Sequence, residues 1–78
     1  MISIEILIPE LGRRLHLKAG LSETARHILT SIGQAIGEEF NDIEWEMIST
    51  DTYKRFEGNV NLMEAGVASG GTILLMKR

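Results

Sequence analysis

The chain contains no cysteine. That excludes a disulfide framework and any thiolate metal site, and it fits a reducing compartment. Proline occurs once, at Pro9, and aromatic residues make up only 5% of the chain. Base stacking on interleaved aromatics therefore has no basis here. No apolar run approaches the roughly 20 residues that a membrane-spanning helix requires. Met1 leads directly into "ISIEILI", without a basic region or a small-residue cleavage site, so the expectation is a strand rather than a signal peptide and a cytoplasmic location. A net charge of −3 speaks against general nucleic-acid binding.

What is present suffices for one small domain over residues 1–78. An apolar fraction of 44% and a charged fraction of 24% are ordinary for a globular chain. In so short a chain most apolar positions must serve the core.

Residues 2–8 alternate, with Ile2, Ile4, Ile6 and Ile8 on one side and Ser3, Glu5 and Leu7 on the other. This is the period of a β-strand with one buried face. Pro9 ends it, and "PELG" supplies a turn in which Gly12 takes positive φ. Residues 13–18 alternate again, Leu15 and Leu17 inward and Arg14, His16 and Lys18 outward, completing a hairpin. In "GLSETARHILTSIGQAIG" the spacing of Ala25, Ile28, Leu29, Ile32 and Ile36 changes to that of an amphipathic helix. Ser22 or Thr24 is placed to cap its start and Gly37 to end it; Gly33, inside it, should cost about 1 kcal/mol relative to Ala. "EEFND" is a loop. Residues 43–49 then alternate, which assigns Ile43, Trp45 and Met47 to the core and Glu44, Glu46 and Ile48 to the other face. "TYKRF" is a short strand, "EGN" a turn, and Leu62, Ala65 and Val67 anchor a helical turn before an apolar strand, "TILLMK" at 72–77.

The order is thus β-β-α-β-(β)-β, one helix covering one face of a mixed sheet in an α+β sandwich. The first and last strands are the most apolar, which places them in the middle of the sheet, paired in parallel. That arrangement is the β-grasp.

The stretch "WEMISTDTYKRFEGNVNLMEAGVASGGTILLM" resembles the second half of a ubiquitin-like domain. The resemblance is carried by a strand, a basic-flanked turn, and Leu62, Ala65, Gly66, Val67, Gly70, Thr72, Ile73 and Leu75 in the pattern L-x-x-A-G-V-x-x-G-x-T-I-x-L. Among bacterial branches it is most similar to the YukD/EsaB group, ubiquitin-like accessory proteins of type VII secretion systems. The tryptophan opening the third strand and the "GV-x-x-G" before the last carry that closer likeness. The resemblance implies a non-enzymatic protein-interaction module, and two alternatives belong to the same superfamily. One is a modifier or sulfur carrier with a reactive Gly-Gly end. The other is a structural subunit of a multicomponent monooxygenase.

Chemistry-bearing residues are sparse. His16 and His27 lack a positioned nucleophile or carboxylate set, so no catalytic role is expected. "EEFNDIEWE" is acidic but lacks the spaced loop of a calcium site, and no metal or cofactor is expected. "SGGT" leads into a strand rather than a helix, which excludes a phosphate-binding loop. The informative anomaly lies on the sheet. If Ile73 and Leu75 face the helix, Leu74 and Met76 face away, as do Leu7 and Ile48. These four residues form the expected protein-binding patch, with a tail or a second copy of the chain as the alternative cover for one or two of them.

Overall fold

The computed structural model describes residues Met1–Arg78. Five strands and one α-helix form two layers: β1 (Ile2–Ile8), β2 (Arg13–Ala19), α1 (Ala25–Ile36), β3 (Trp45–Ser49), β4 (Lys54–Phe56) and β5 (Thr72–Lys77), with a single turn of 3-10 helix (Pro9–Leu11) joining β1 to β2. The sheet order is β2-β1-β5-β3-β4. β1 and β5 are parallel and central, while every other pairing is antiparallel. The apolar content of the first and last strands thus reflects their position, each with a neighbour on both sides.

The helical layer seals one face. Ile4, Ile6, Ile8, Met47, Ile73 and Leu75 are buried with Ala25, Ile28, Leu29 and Ile32 of α1. Of the two candidate caps, Thr24 is used: its Oγ1 accepts a hydrogen bond from the His27 N–H at 3.2 Å. Gly37 closes the helix in the left-handed conformation, as the sequence suggests. Gly33 has a reason that propensity does not reveal. A Cβ there would stand 2.5 Å from the Glu38 carbonyl oxygen, because the chain leaving the helix folds back over it.

Ile43 departs from expectation. It is 81% exposed and precedes β3, while Ser49 takes the buried position at the strand's far end. The cause is Asn41, whose Oδ1 accepts from the N–H groups of Ile43 at 3.0 Å and Glu44 at 2.8 Å. This local turn takes the first two residues of the strand that alternation predicts, which begins at Trp45 instead.

The helical turn after β4 is present and has its own cap. Asn61 Oδ1 accepts from the Glu64 N–H at 2.8 Å, and Glu64 Oε1 accepts from the Asn61 N–H at 3.1 Å. This reciprocal pair is a capping box with asparagine as the cap residue. It sets Leu62, Ala65 and Val67 into the core.

Gly70 and Gly71 form the entry to β5. Gly70 has φ of +83° and its N–H donates to the Ser3 carbonyl at 2.7 Å. Gly71 accepts from the Glu5 N–H at 2.9 Å, and a Cβ on it would lie 2.5 Å from Asp51 Oδ2. The first glycine supplies a conformation, the second a close approach.

Candidate functional site: the open face of the sheet

Alternation along the strands sends every second side chain to the face that α1 leaves uncovered. The register assembles these side chains into a row. Leu7 lies opposite Leu74 in the parallel pair, and Leu74 lies opposite Ile48 in the antiparallel one. Arg14 of β2 is paired with Leu7, and Arg55 of β4 with Ile48. One line therefore crosses all five strands: Arg14, Leu7, Leu74, Ile48, Arg55. Met76 is the next residue of β5 on the same face, opposite Glu46.

The four apolar residues expected to share this face do share it. Each is half-buried rather than fully exposed, since its neighbours in the row and along the strands shield its flanks. Of the two basic ends of the row, Arg14 is legible in the sequence as an outward position, and Arg55 is not assigned a face there. Only the cross-strand register shows that they terminate the apolar line.

Carboxylates sit between the bases. Glu5 Oε2 lies 3.5 Å from Arg14 Nε and 3.4 Å from His16 Nε2. Glu46 Oε2 lies 3.3 Å from Arg55 Nε and 3.6 Å from Arg78 Nη1. Lys18 belongs to this face as well, two residues along from His16 and opposite Ser3. Bases thus exceed acids on the open face of a chain whose net charge is −3. The excess acid lies elsewhere, much of it in the loop after α1, at Glu38, Glu39, Asp42 and Glu44.

The other chemistry-bearing residues are dispersed. His27 Nδ1 is 2.9 Å from Glu23 Oε1, and Glu23 Oε2 accepts from the Gly20 N–H at 2.6 Å. That carboxylate is engaged in ordering the approach to the helix. His16 lies on the opposite layer, on β2. The acids of "EEFNDIEWE" do not converge either. Glu46 joins the open face, and the Glu44 carboxylate accepts from Asn41 Nδ2 at 3.1 Å. No group of three or more His, Cys, Asp or Glu side chains is placed to hold a metal ion. No helix is long and apolar enough to cross a membrane.

No protein-family model matches the chain, and no curated protein matches it.

Proposed function

We propose that the chain is a β-grasp, ubiquitin-like domain that works as a non-enzymatic protein-interaction module in the cytoplasm. Its most specific form is the accessory role in type VII secretion implied by the YukD/EsaB resemblance. The parallel β1–β5 pair at the centre of a β2-β1-β5-β3-β4 sheet, with one helix across it, supports the β-grasp assignment. The observation that carries the functional reading is the apolar line Leu7–Leu74–Ile48, extended by Met76, on a sheet face with no covering layer. Apolar residues aligned on an uncovered face of so small a domain favour a partner surface. The basic ends Arg14 and Arg55 select a partner whose apolar contact is rimmed by acidic residues.

The Gly70-Gly71 pair supports a structural role over a conjugating one. Cleavage after Gly71 would remove β5, the central strand, with Ile73 and Leu75. Losing two such side chains costs about 2–5 kcal/mol each, comparable to the whole stability of a small domain.

Affinity capture from the native host tests the proposal. The wild-type chain is expected to retain a protein partner that Leu74→Asp, folded by circular dichroism, does not. Unchanged capture by Leu74→Asp overturns the docking face. A partner set without secretion components removes the type VII assignment while leaving the face in place.

A further inference from the structure

A cleft of about 230 Å³ opens between α1 and the β3–β4 end of the sheet. Leu29, Phe40, Trp45 and Phe56 form its apolar floor. It exceeds the roughly 150 Å³ that holds a benzene ring in an apolar cavity, so it has room for one large side chain. A more open hollow adjoins it along α1 and shares Leu29, Thr30, Phe40 and Asn41 as a wall, which makes one groove of the two. Ile43 follows directly on Asp42 of that wall and points into solvent, 81% exposed. Its turn is braced. Besides the Asn41 contacts, the Arg78 N–H donates to the Glu44 carbonyl at 2.8 Å and Arg78 Nε donates to the Asp42 carbonyl at 3.0 Å.

Arg26 is the only base lining this groove; its other charged residues, Glu38, Glu39, Asp42, Glu46 and Glu57, are all acids. Arg78 neutralises Glu46 and Glu57, and Arg55 shares Glu46. Lys77 lies over the Trp45 ring, 5.7 Å from its centroid. The Arg26 side chain donates to Asn59 Oδ1 at 3.1 Å. Glu38, Glu39 and Asp42 take part in no ion pair within the chain. The helix adds to the same sign. Its C-terminal end, the negative end of its dipole, leads into Glu38 and Glu39, and its last turn holds no base. An apolar floor thus lies beneath a rim whose negative charge the chain does not neutralise. A second copy of this surface would meet it with like charge, whereas a basic segment meets it with the opposite one.

We propose that this groove binds a basic partner segment, with one large apolar side chain seated in the cleft and flanking lysines or arginines against Glu38, Glu39 and Asp42. Ile43 supplies a second apolar contact at the edge. Its backbone is already fixed, so burying it orders little more than its own rotamers. The groove is separate from the open sheet face, whose apolar row ends in bases and favours an acidic rim. One small domain thereby presents two surfaces of opposite charge preference. The contact is small and correspondingly weak.

Trp45 is the only tryptophan and lines the cleft, so its emission reports occupancy. The probe is a blocked synthetic peptide reading Lys-Arg-Leu-Arg-Lys between Gly-Ser spacers, titrated into the full chain and followed by fluorescence and by amide NMR. Saturable binding with a dissociation constant of about 0.1–1 mM at low salt is expected, with shifts centred on α1 and the loop after it. Serine in place of the peptide leucine should weaken it at least about tenfold, and glutamates in place of its bases should abolish it. Glu39→Lys combined with Asp42→Lys should weaken it at least about fivefold, and Arg26→Glu should strengthen it. All three side chains are exposed, so the variants keep the fold. Leu74→Asp should bind as the wild type does, which separates the groove from the open face. The proposal is overturned if no saturable change appears up to about 5 mM peptide. It is overturned equally if the serine peptide binds as well, since the attraction would then be charge alone, or if the double lysine variant binds unchanged. Shifts centred on the open face, or loss of binding in Leu74→Asp, would overturn it too, and would assign the peptide to that face instead.

Discussion

Leu74 and Leu75 are chemically identical neighbours on one strand, yet they belong to different environments. Leu75 is fully buried beneath α1, whereas Leu74 is half-buried on the open face. The same division runs through β1, where Ile6 is buried and Leu7 half-buried, and through β3, where Met47 is buried and Ile48 half-buried. One layer of the sheet is spent on cohesion, and the other holds a comparable apolar series with no layer against it. The difference teaches that composition alone misjudges this chain. Its apolar content exceeds what the sealed layer uses, and the surplus is aligned rather than scattered.

The largest effect should come from setting the two faces against each other at these neighbours. Leu75→Ala is expected to cost about 3–4 kcal/mol in urea unfolding, from lost burial and a cavity that the surrounding residues cannot fill. Leu74→Ala should cost about 1 kcal/mol, because its side chain is partly hydrated before and after unfolding. Equal losses would erase the distinction between the faces. Gly33→Ala probes the sealed layer from the helix side. In an exposed helix the change stabilises by about 1 kcal/mol. Here the new Cβ meets the Glu38 carbonyl at 2.5 Å, so a destabilisation of about 2 kcal/mol is expected. A gain in stability would show that the helix–loop packing yields.

The strands, the helix, its end at Gly37 and the parallel central pair are all legible in the sequence, because period and burial point the same way. The membership of the open face is legible too, since alternation fixes which side each residue takes. Its row is not. Whether Leu7 meets Leu74 depends on register, and register depends on turn geometry that alternation does not contain. Ile43 fails for a local reason: the Asn41 side chain satisfies two backbone N–H groups and diverts the chain, although the apolar alternation runs on through it. An asparagine two residues before the supposed strand was the available signal. Gly33 fails for a non-local one, since its neighbour across space, Glu38, is named only once the loop after α1 has folded back.

Ser49 sharpens the comparison from within the sealed face. It is fully buried, and its Oγ has no hydrogen-bond partner. A buried hydroxyl without a partner keeps its desolvation penalty, so Ser49→Ala should raise stability by about 1 kcal/mol in thermal or urea unfolding. A loss of similar size would mean that the hydroxyl finds a carbonyl in solution and that the sealed face has no orphaned polar group.

The smallest effect on stability is expected at the end of the row. Arg55 is 70% exposed along its side chain, with Nε 3.3 Å from Glu46 Oε2. The Glu46 side chain is largely shielded, but the Arg55 end of the pair is open to solvent, which screens it to about 0.2–1 kcal/mol. Glu46 also keeps Arg78, 3.6 Å away, when Arg55 is removed. Arg55→Ala should therefore move the urea midpoint by no more than about 0.5 kcal/mol equivalent. Its consequence should appear in binding kinetics instead. A rim charge acts at long range on an acidic partner, so association should slow and its salt dependence flatten while dissociation changes little. A loss of stability as large as that of Leu74→Ala would make the basic end part of the fold rather than part of recognition. The open face would then be held together by the same residues it is proposed to present.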